Sequence, residues 1–400
     1  MSDSEPISRR AQSAFASSSG VFRFLMSPRD LSHPEACDFL AGNPQEIAMP
    51  EYVRSIQRAL EPDSPSYYAY GPPWRGAVEA VAASLSVRLG LELDPDDLFL
   101  TRGAASGLFL ALRTVVDPGD HVIAFSPPWF FYEAMILGES AQMSRVPLTN
   151  ETFDLDLDAL ERALTPRTRA VIINTPHNPT GRIYPEDQLR GLADVLERAS
   201  QRNQRRIYLL SDEAYARILF DGRQMLTPAR FYPATFVLHS YSKTLLAPSQ
   251  RAGYMAMPRT MPRREQLRLA LIAGSLGAGV TPDTAMQRAM PELERLSIDI
   301  AAIERRRDRI VSELRLLGYR VASPEGTFYV FPRTPIPDAS EFCDWLAERR
   351  VYTLPGEAFE RPGYFRISLT ATDAMVDRAL PVFGEAMREF AHAGVQTVPE

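Results

Sequence analysis

The sequence predicts an α/β fold: a large domain with a mostly parallel sheet flanked by helices, plus a smaller α+β C-terminal domain. Three observations predict it. From about residue 97, short apolar runs rich in β-branched residues alternate with segments whose apolar residues recur at helical spacing. Past about residue 280, that rhythm gives way to a long amphipathic helix and a few separated strands. The 400 residues, with 45% hydrophobic and 24% charged side chains, are enough to bury two cores. The expected division is an N-terminal arm over 1–50, a large domain over 51–290 and a small domain over 291–400 that takes in part of the arm.

The elements follow in order. The first 50 or so residues lack clear periodicity and read as an irregular arm carrying Phe22, Phe24 and Phe39. Asp97–Thr101 is a strand, and Leu108, Leu112 and Val115 mark the helix behind it. Asp117-Pro118-Gly119-Asp120 stops that helix. Val122–Phe125 is a buried strand ending at Pro127-Pro128. Asp156 is placed to cap a helix with Leu157, Leu160 and Leu164 on one face. Ala170–Ile173 is the next strand, and Pro185, Glu186 and Asp187 open a helix buried through Leu189, Leu192 and Leu196. Ile207–Leu210, Thr235–Leu238 and Tyr254–Met257 complete the strands of the large unit. Beyond them come a helix with Ile303, Ile310 and Leu314, the strands Phe328–Phe331, Val351–Thr353 and Tyr364–Leu369, and a closing helix over 371–392.

Composition narrows the function classes. A net charge of −6 gives bulk electrostatics no pull toward nucleic acid. Two cysteines, Cys37 and Cys343, make no disulfide framework. The longest uncharged apolar stretch, Leu269–Val280, falls short of the roughly 20 residues of a membrane span. The opening MSDSEPISRR has no apolar signal core, so a cytoplasmic protein is expected.

Ligands of such sheets sit beyond the carboxyl ends of the strands. Arg102-Gly103-Ala104-Ala105-Ser106 offers small residues at a helix N-terminus, where free N–H groups suit a phosphate. Trp129-Phe130-Phe131-Tyr132 offers flat apolar faces. Asn174-Thr175-Pro176-His177-Asn178-Pro179-Thr180-Gly181 is a constrained polar loop. Ser211-Asp212-Glu213-Ala214-Tyr215 puts an acid at the end of a buried strand, where it needs a partner or solvent. His239-Ser240-Tyr241-Ser242-Lys243-Thr244, followed by Arg251, supplies hydroxyls, an amine and a cation. Each feature alone has an ordinary structural reading. Together they suit one ligand, pyridoxal 5'-phosphate, which brings an aldehyde, a pyridine nitrogen, a ring oxygen and a dianionic phosphate.

The motifs NTPHNPTG (174–181), SDEAY (211–215) and SYSKTLLAPSQRAGY (240–254) resemble those of class I/II aminotransferases of the fold-type I pyridoxal-phosphate superfamily. The resemblance spans roughly residues 40–390. It implies a Schiff base on Lys243, with Asp212 against the pyridine nitrogen. It also implies that Asn178 and Tyr215 donate to the ring oxygen while Trp129 lies over the ring. Ser240, Ser242, Arg251 and the N–H groups of Ala104 and Ala105 would hold the phosphate. Tyr70, in YAYGPPWRG, would reach the phosphate of a neighbouring subunit, which implies a homodimer. Arg366, in GYFRISL, would bind the substrate α-carboxylate, with Gly42 of LAGNP and Asn178 close by. No metal is implied.

Catalytic roles then fall to Lys243, Asp212 and Tyr215, in a ping-pong exchange of an amino group between an amino acid and a 2-oxo acid. Independently, alternation in Tyr364–Leu369 sets Arg366 on the face opposite Phe365, Ile367 and Leu369. Three departures stand out: Ser249 where glycine is common, no hydroxyl at Ala104 or Ala105, and Ala77-Val78-Glu79 in place of a Leu-Arg pair. Dicarboxylate-specific relatives often present a second arginine from a large-domain loop. The stretch matched to it here, Gly274–Gly279, is apolar, so a neutral or aromatic donor is expected over an acidic one. Phe22, Phe24, Phe131 and Tyr132 are candidates to line its side-chain pocket. The same cofactor chemistry also serves β-lyases, decarboxylases, racemases and oxidases, and the motifs do not separate these. A non-enzymatic regulator is disfavoured by the net charge and the lack of a helix-turn-helix pattern.

Overall fold

The computed structural model describes residues 7–26, 29–150 and 152–394. Its strands, in chain order, are β1 (Cys37–Asp38), β2 (Leu98–Thr101), β3 (His121–Ser126), β4 (Gln142–Pro147), β5 (Thr168–Asn174), β6 (Tyr208–Asp212), β7 (Thr235–Ser240), β8 (Gly253–Ala256), β9 (Tyr329–Val330), β10 (Val351–Tyr352), β11 (Leu354–Pro355) and β12 (Phe365–Ser368). A seven-stranded sheet runs in the order β2-β8-β7-β6-β5-β3-β4. All its pairings are parallel except those of β8, which is antiparallel to β2 and β7. Helices such as Ala104–Val115 and Glu186–Arg202 cover the sheet, so β5, β6 and β7 are continuous apolar runs rather than alternating ones.

Register sets the position of the site. Asn174 on β5 lies opposite Asp212 on β6, and Asp212 lies opposite Leu238 on β7. The polar residues that follow each apolar run therefore emerge side by side at one sheet edge. The C-terminal part forms an antiparallel sheet β11-β12-β9, and β1 near the N-terminus pairs in parallel with β10.

Two segments differ from the sequence reading. The expected irregular arm contains a helix, Arg9–Leu25, whose N-terminus is capped by the Ser8 hydroxyl. Its Ala/Ser/Gly tract has weak helical periodicity. Packing supplies the rest, as Phe22 lies 5.7 Å from Phe131. The glycine-rich stretch expected as a loop is the last part of a helix, Arg264–Ala278, which stops at Gly279 in the left-handed region (φ 60°). Downstream, Thr284–Leu293 and Ile300–Leu316 are two helices, each started by an aspartate cap, Asp283 and Asp299. No helix among the described residues is long and apolar enough to cross a membrane.

The loop after β5 is clasped to the C-terminal part. Arg182 is held by Asp154 (2.7 and 2.9 Å) and by both Glu325 oxygens (2.8 Å each). The Gly181 carbonyl accepts the N–H groups of Glu325 and Gly326. Removing the guanidinium strips Asp154 of its cation and leaves Glu325 with Arg223 alone (3.2 Å). Arg182→Ala should therefore lower unfolding stability by about 2–4 kcal/mol, read as a lower denaturation midpoint. An unchanged midpoint would show that the clasp contributes nothing.

Candidate active site

A single cleft at the carboxyl ends of β5, β6 and β7 is lined by Ala104, Ala105, Trp129, Asn178, Asp212, Tyr215, Ser240, Ser242, Lys243 and Arg251. Asn174, Ala214 and Pro248, not singled out in the sequence, line it too. Arg366 reaches the cleft from β12, where it bonds to Asn178. Gly42 packs against Phe328 and Tyr329. Tyr70 is fully exposed and does not line the cleft of its own chain.

One end of the cleft suits an anion. Gly103 precedes the Ala104–Val115 helix at φ 85°, and no side chain caps that helix. A Cβ at Gly103 would stand 2.5 Å from Arg251 Nη2 and 3.1 Å from Ser240 Oγ, so only glycine lets the guanidinium approach the helix start. Arg251 donates to Ser242 Oγ (2.7 Å) and to the carbonyls of Pro248 (2.7 Å) and Arg102 (3.2 Å). Burial lowers its pKa, and no acid offsets this. A cation without an acidic partner, two hydroxyls and free helix N–H groups together fit a phosphate.

The middle holds a partly buried acid with no cation in contact. Asp212 Oδ2 accepts from the Tyr132 hydroxyl (2.6 Å), and Oδ1 from the Ala214 N–H (3.2 Å). Burial raises its pKa; those two bonds and the more distant Lys243 only partly offset the effect. A protonated ring nitrogen placed there would stabilise the carboxylate. Tyr132 was expected in a side-chain pocket; it sits instead beneath Asp212 and fixes its orientation. Asn174 was also missed: its Oδ1 accepts the Asn178 N–H (2.7 Å), and its Nδ2 donates to the Asp212 carbonyl (2.8 Å). The four-residue spacing of the two asparagines was the available signal.

Lys243 lies in the one-turn helix after β7, its Nζ 5.6 Å from the Tyr215 ring and 5.8 Å from the Phe328 ring. It is the sole lysine among 44 Lys and Arg side chains, a compositional signal the motif reading overlooked. At the other end, Arg366 is buried, donating to Asn178 Oδ1 (3.0 Å) and the Leu40 carbonyl (2.7 Å). Its Nε has no partner. The face of β12 opposite Phe365 and Ile367 is thus as buried as the core face, and it faces the cleft. Cationic Arg366 with a free donor fits a carboxylate. The donor set therefore accommodates pyridoxal phosphate and an amino acid.

The family model for aminotransferases of class I and II matches residues 38–383. The aspartate/prephenate aminotransferase of Thermus thermophilus is 31% identical, over 87% of this chain and 90% of its own. The aromatic-amino-acid aminotransferase 2 of Thermococcus litoralis is 26% identical, over 87% and 90%. A solved aminotransferase from Eubacterium rectale superposes with a TM-score of 0.85 at 28% identity, covering 96% of each chain. The chain belongs to the class I and II aminotransferases and is a pyridoxal-phosphate-dependent enzyme.

Two outcomes follow from the site's electrostatics. Arg251→Ala removes the cation beside the helix start, so retention of pyridoxal phosphate should weaken about 10–100-fold, read by titrating the apoenzyme with the cofactor. An unchanged affinity would assign the phosphate elsewhere. Glu213, behind Asp212, accepts from Ser211 (2.9 Å) and Thr227 (2.6 Å), and burial raises its pKa to about 7. The folded protein then holds a proton there that the unfolded chain releases, so stability contributed by this group falls as pH rises from about 4.5 to 7. Glu213→Gln keeps an acceptor for both hydroxyls. It should stabilise the protein at pH 8 relative to pH 5, as measured by denaturant unfolding; equal effects at both would exclude a neutral Glu213.

Proposed function

We propose that this aminotransferase moves an amino group from a neutral or aromatic amino acid to a 2-oxo acid by a ping-pong sequence, working as a cytoplasmic homodimer. The observation that carries the reading is the placing of the chain's single amine side chain in one cleft with an uncompensated acid and two cations that lack acidic partners.

When bound, pyridoxal phosphate supplies a carbonyl that condenses with amines and a ring that withdraws electrons from the substrate Cα. In the proposed scheme Ser240, Ser242, Arg251 and the N–H groups of Ala104 and Ala105 hold the phosphate. Trp129 covers the ring, and Asp212 keeps its nitrogen protonated. Tyr215 and Asn178 donate to the ring oxygen. Arg366, with Asn178 and Gly42 alongside, grips the substrate carboxylate and so fixes the direction of the Cα–H bond. Lys243 Nζ would act as the base that moves the substrate Cα proton to the cofactor's former carbonyl carbon, the shift that turns an amino acid into a 2-oxo acid. Tyr70, exposed on its own chain, is proposed to complete the phosphate site of a partner.

Substrate preference rests on the cations. Lys243, Arg251 and Arg366 each have a task, and the Gly274–Gly279 stretch adds none. Trp129, Phe130 and Phe131 form an aromatic wall beside the cleft. This favours the aromatic substrates named for the Thermococcus relative over the acidic ones named for the Thermus relative.

Lys243→Ala should abolish turnover and the visible absorbance of the bound cofactor. Asp212→Ala should lower kcat about 100-fold or more while the protein stays folded. With wild-type enzyme and no acceptor, aromatic and aliphatic amino acids should bleach that absorbance faster than aspartate or glutamate. Faster bleaching by aspartate would reverse the substrate assignment, and an active Lys243→Ala variant would remove the mechanism.

A further inference from the structure

Tyr329 has no part in the scheme above, yet the fold packs it between Arg366 and Tyr215, behind the cleft. Across the β9–β12 ladder, Tyr329 lies opposite Ser368. Residues facing each other in a ladder share a sheet face, and so does the residue two positions away, Arg366. The Arg366 guanidinium carbon accordingly sits 3.9 Å over the Tyr329 ring, with Phe359 at 4.9 Å. Asn178 and the Leu40 carbonyl fix two of its nitrogens, and the ring fixes its plane.

The other end of Tyr329 is equally confined. A Cβ on Gly42 would stand 2.9 Å from the Tyr329 hydroxyl and 2.1 Å from Phe328 Cε2, so any side chain at 42 would push the phenol away. The Tyr215 ring lies edge-on at 5.9 Å. One buried phenol thus touches the proposed carboxylate arginine with its face and the proposed ring-oxygen donor with its rim.

We propose that Tyr329 is a positioning residue that couples occupation of Arg366 by a carboxylate to the hydrogen bond that Tyr215 makes. The proposal rests on the carboxylate role assigned to Arg366 above. With Arg366 uncompensated, its charge over the ring pulls the Tyr329 phenol toward the acceptor role, which draws the Tyr215 hydroxyl toward it. A carboxylate on Arg366 cancels that charge, the pull on Tyr329 is lost, and the Tyr215 hydroxyl is left to the cofactor. The groups facing Tyr329 agree with this. Burial works against its ionisation, but Arg366, Lys243, Tyr215 and the Gly42 N–H outweigh burial and hold it below the ordinary tyrosine value. Burial, then Tyr329 itself, and also Asp212 hold Tyr215 well above that value, against the pull of Arg366. Two neighbouring phenols pushed in opposite directions divide acceptor and donor roles between them.

The test measures linkage. The pH midpoint of the bound cofactor's absorbance is recorded for the holoenzyme with and without saturating 3-phenylpropionate, a carboxylate that has no amine to react. In the wild type the carboxylate should move the midpoint. In Tyr329→Phe, which keeps the ring beneath Arg366, binding should stay within about threefold of wild type while the shift falls to less than about half. Tyr215→Phe should lose the shift likewise. Tyr329→Leu, which loses the stack, should bind the carboxylate about tenfold more weakly. A full shift in Tyr329→Phe, or none in the wild type, overturns the coupling. Arg366→Leu separates the two levels. If it leaves 3-phenylpropionate binding intact, the carboxylate assignment fails. If it abolishes binding while Tyr329→Phe keeps the full shift, the coupling alone fails.

Discussion

Holding a charge away from water without a counter-charge is costly, and the cleft leaves three charged groups with no counter-charge in contact. Asp212 lies at the end of β6 with hydroxyl and amide donors but no cation in contact. Arg251 is held by neutral acceptors alone. Arg366 is buried with a nitrogen left over. Such groups are tolerated where a ligand completes them, because binding then recovers the desolvation already incurred. The parallel sheet makes the arrangement possible. Its apolar runs end in register, so polar residues distant in sequence become neighbours without crossing the core.

The surroundings hold these charges in place. Tyr132 orients Asp212 from below, and Asn174 ties the loop of Asn178 to the backbone of Asp212. The Arg182 clasp joins that loop to Glu325, three and four residues before Phe328 and Tyr329. The C-terminal part therefore brings Arg366, Phe328 and Tyr329 to the cleft as one packed group. The close approaches at Gly103 and Gly42 show how little room is left at the two ends of the site.

Much of this was legible in sequence because strand ends are punctuated. Apolar runs stopping at Asn174, Ser211 and His239 located the cleft, and the motifs that follow named most of its lining. What stayed hidden needed three dimensions. Tyr132 reads as one aromatic among four, and its contact with Asp212 spans 80 positions. Tyr329 sits in an apolar run where alternation cannot say which face meets the cleft, since both faces are buried. The Arg9–Leu25 helix draws its order from a tertiary contact rather than from its own pattern. The helical Gly274–Ala278 segment shows the converse: glycine-rich sequence reads as loop, but a helix can carry it when its flanks are good formers.

With a single lysine in 400 residues, the chain offers covalent chemistry two primary amines, Lys243 Nζ and the N-terminus. Borohydride reduction of the holoenzyme, followed by peptide mapping, addresses the attachment directly. The account predicts one reduced pyridoxyl adduct, on the peptide that contains Lys243. An adduct on the N-terminal peptide, or no adduct on protein that had carried the cofactor, would contradict it.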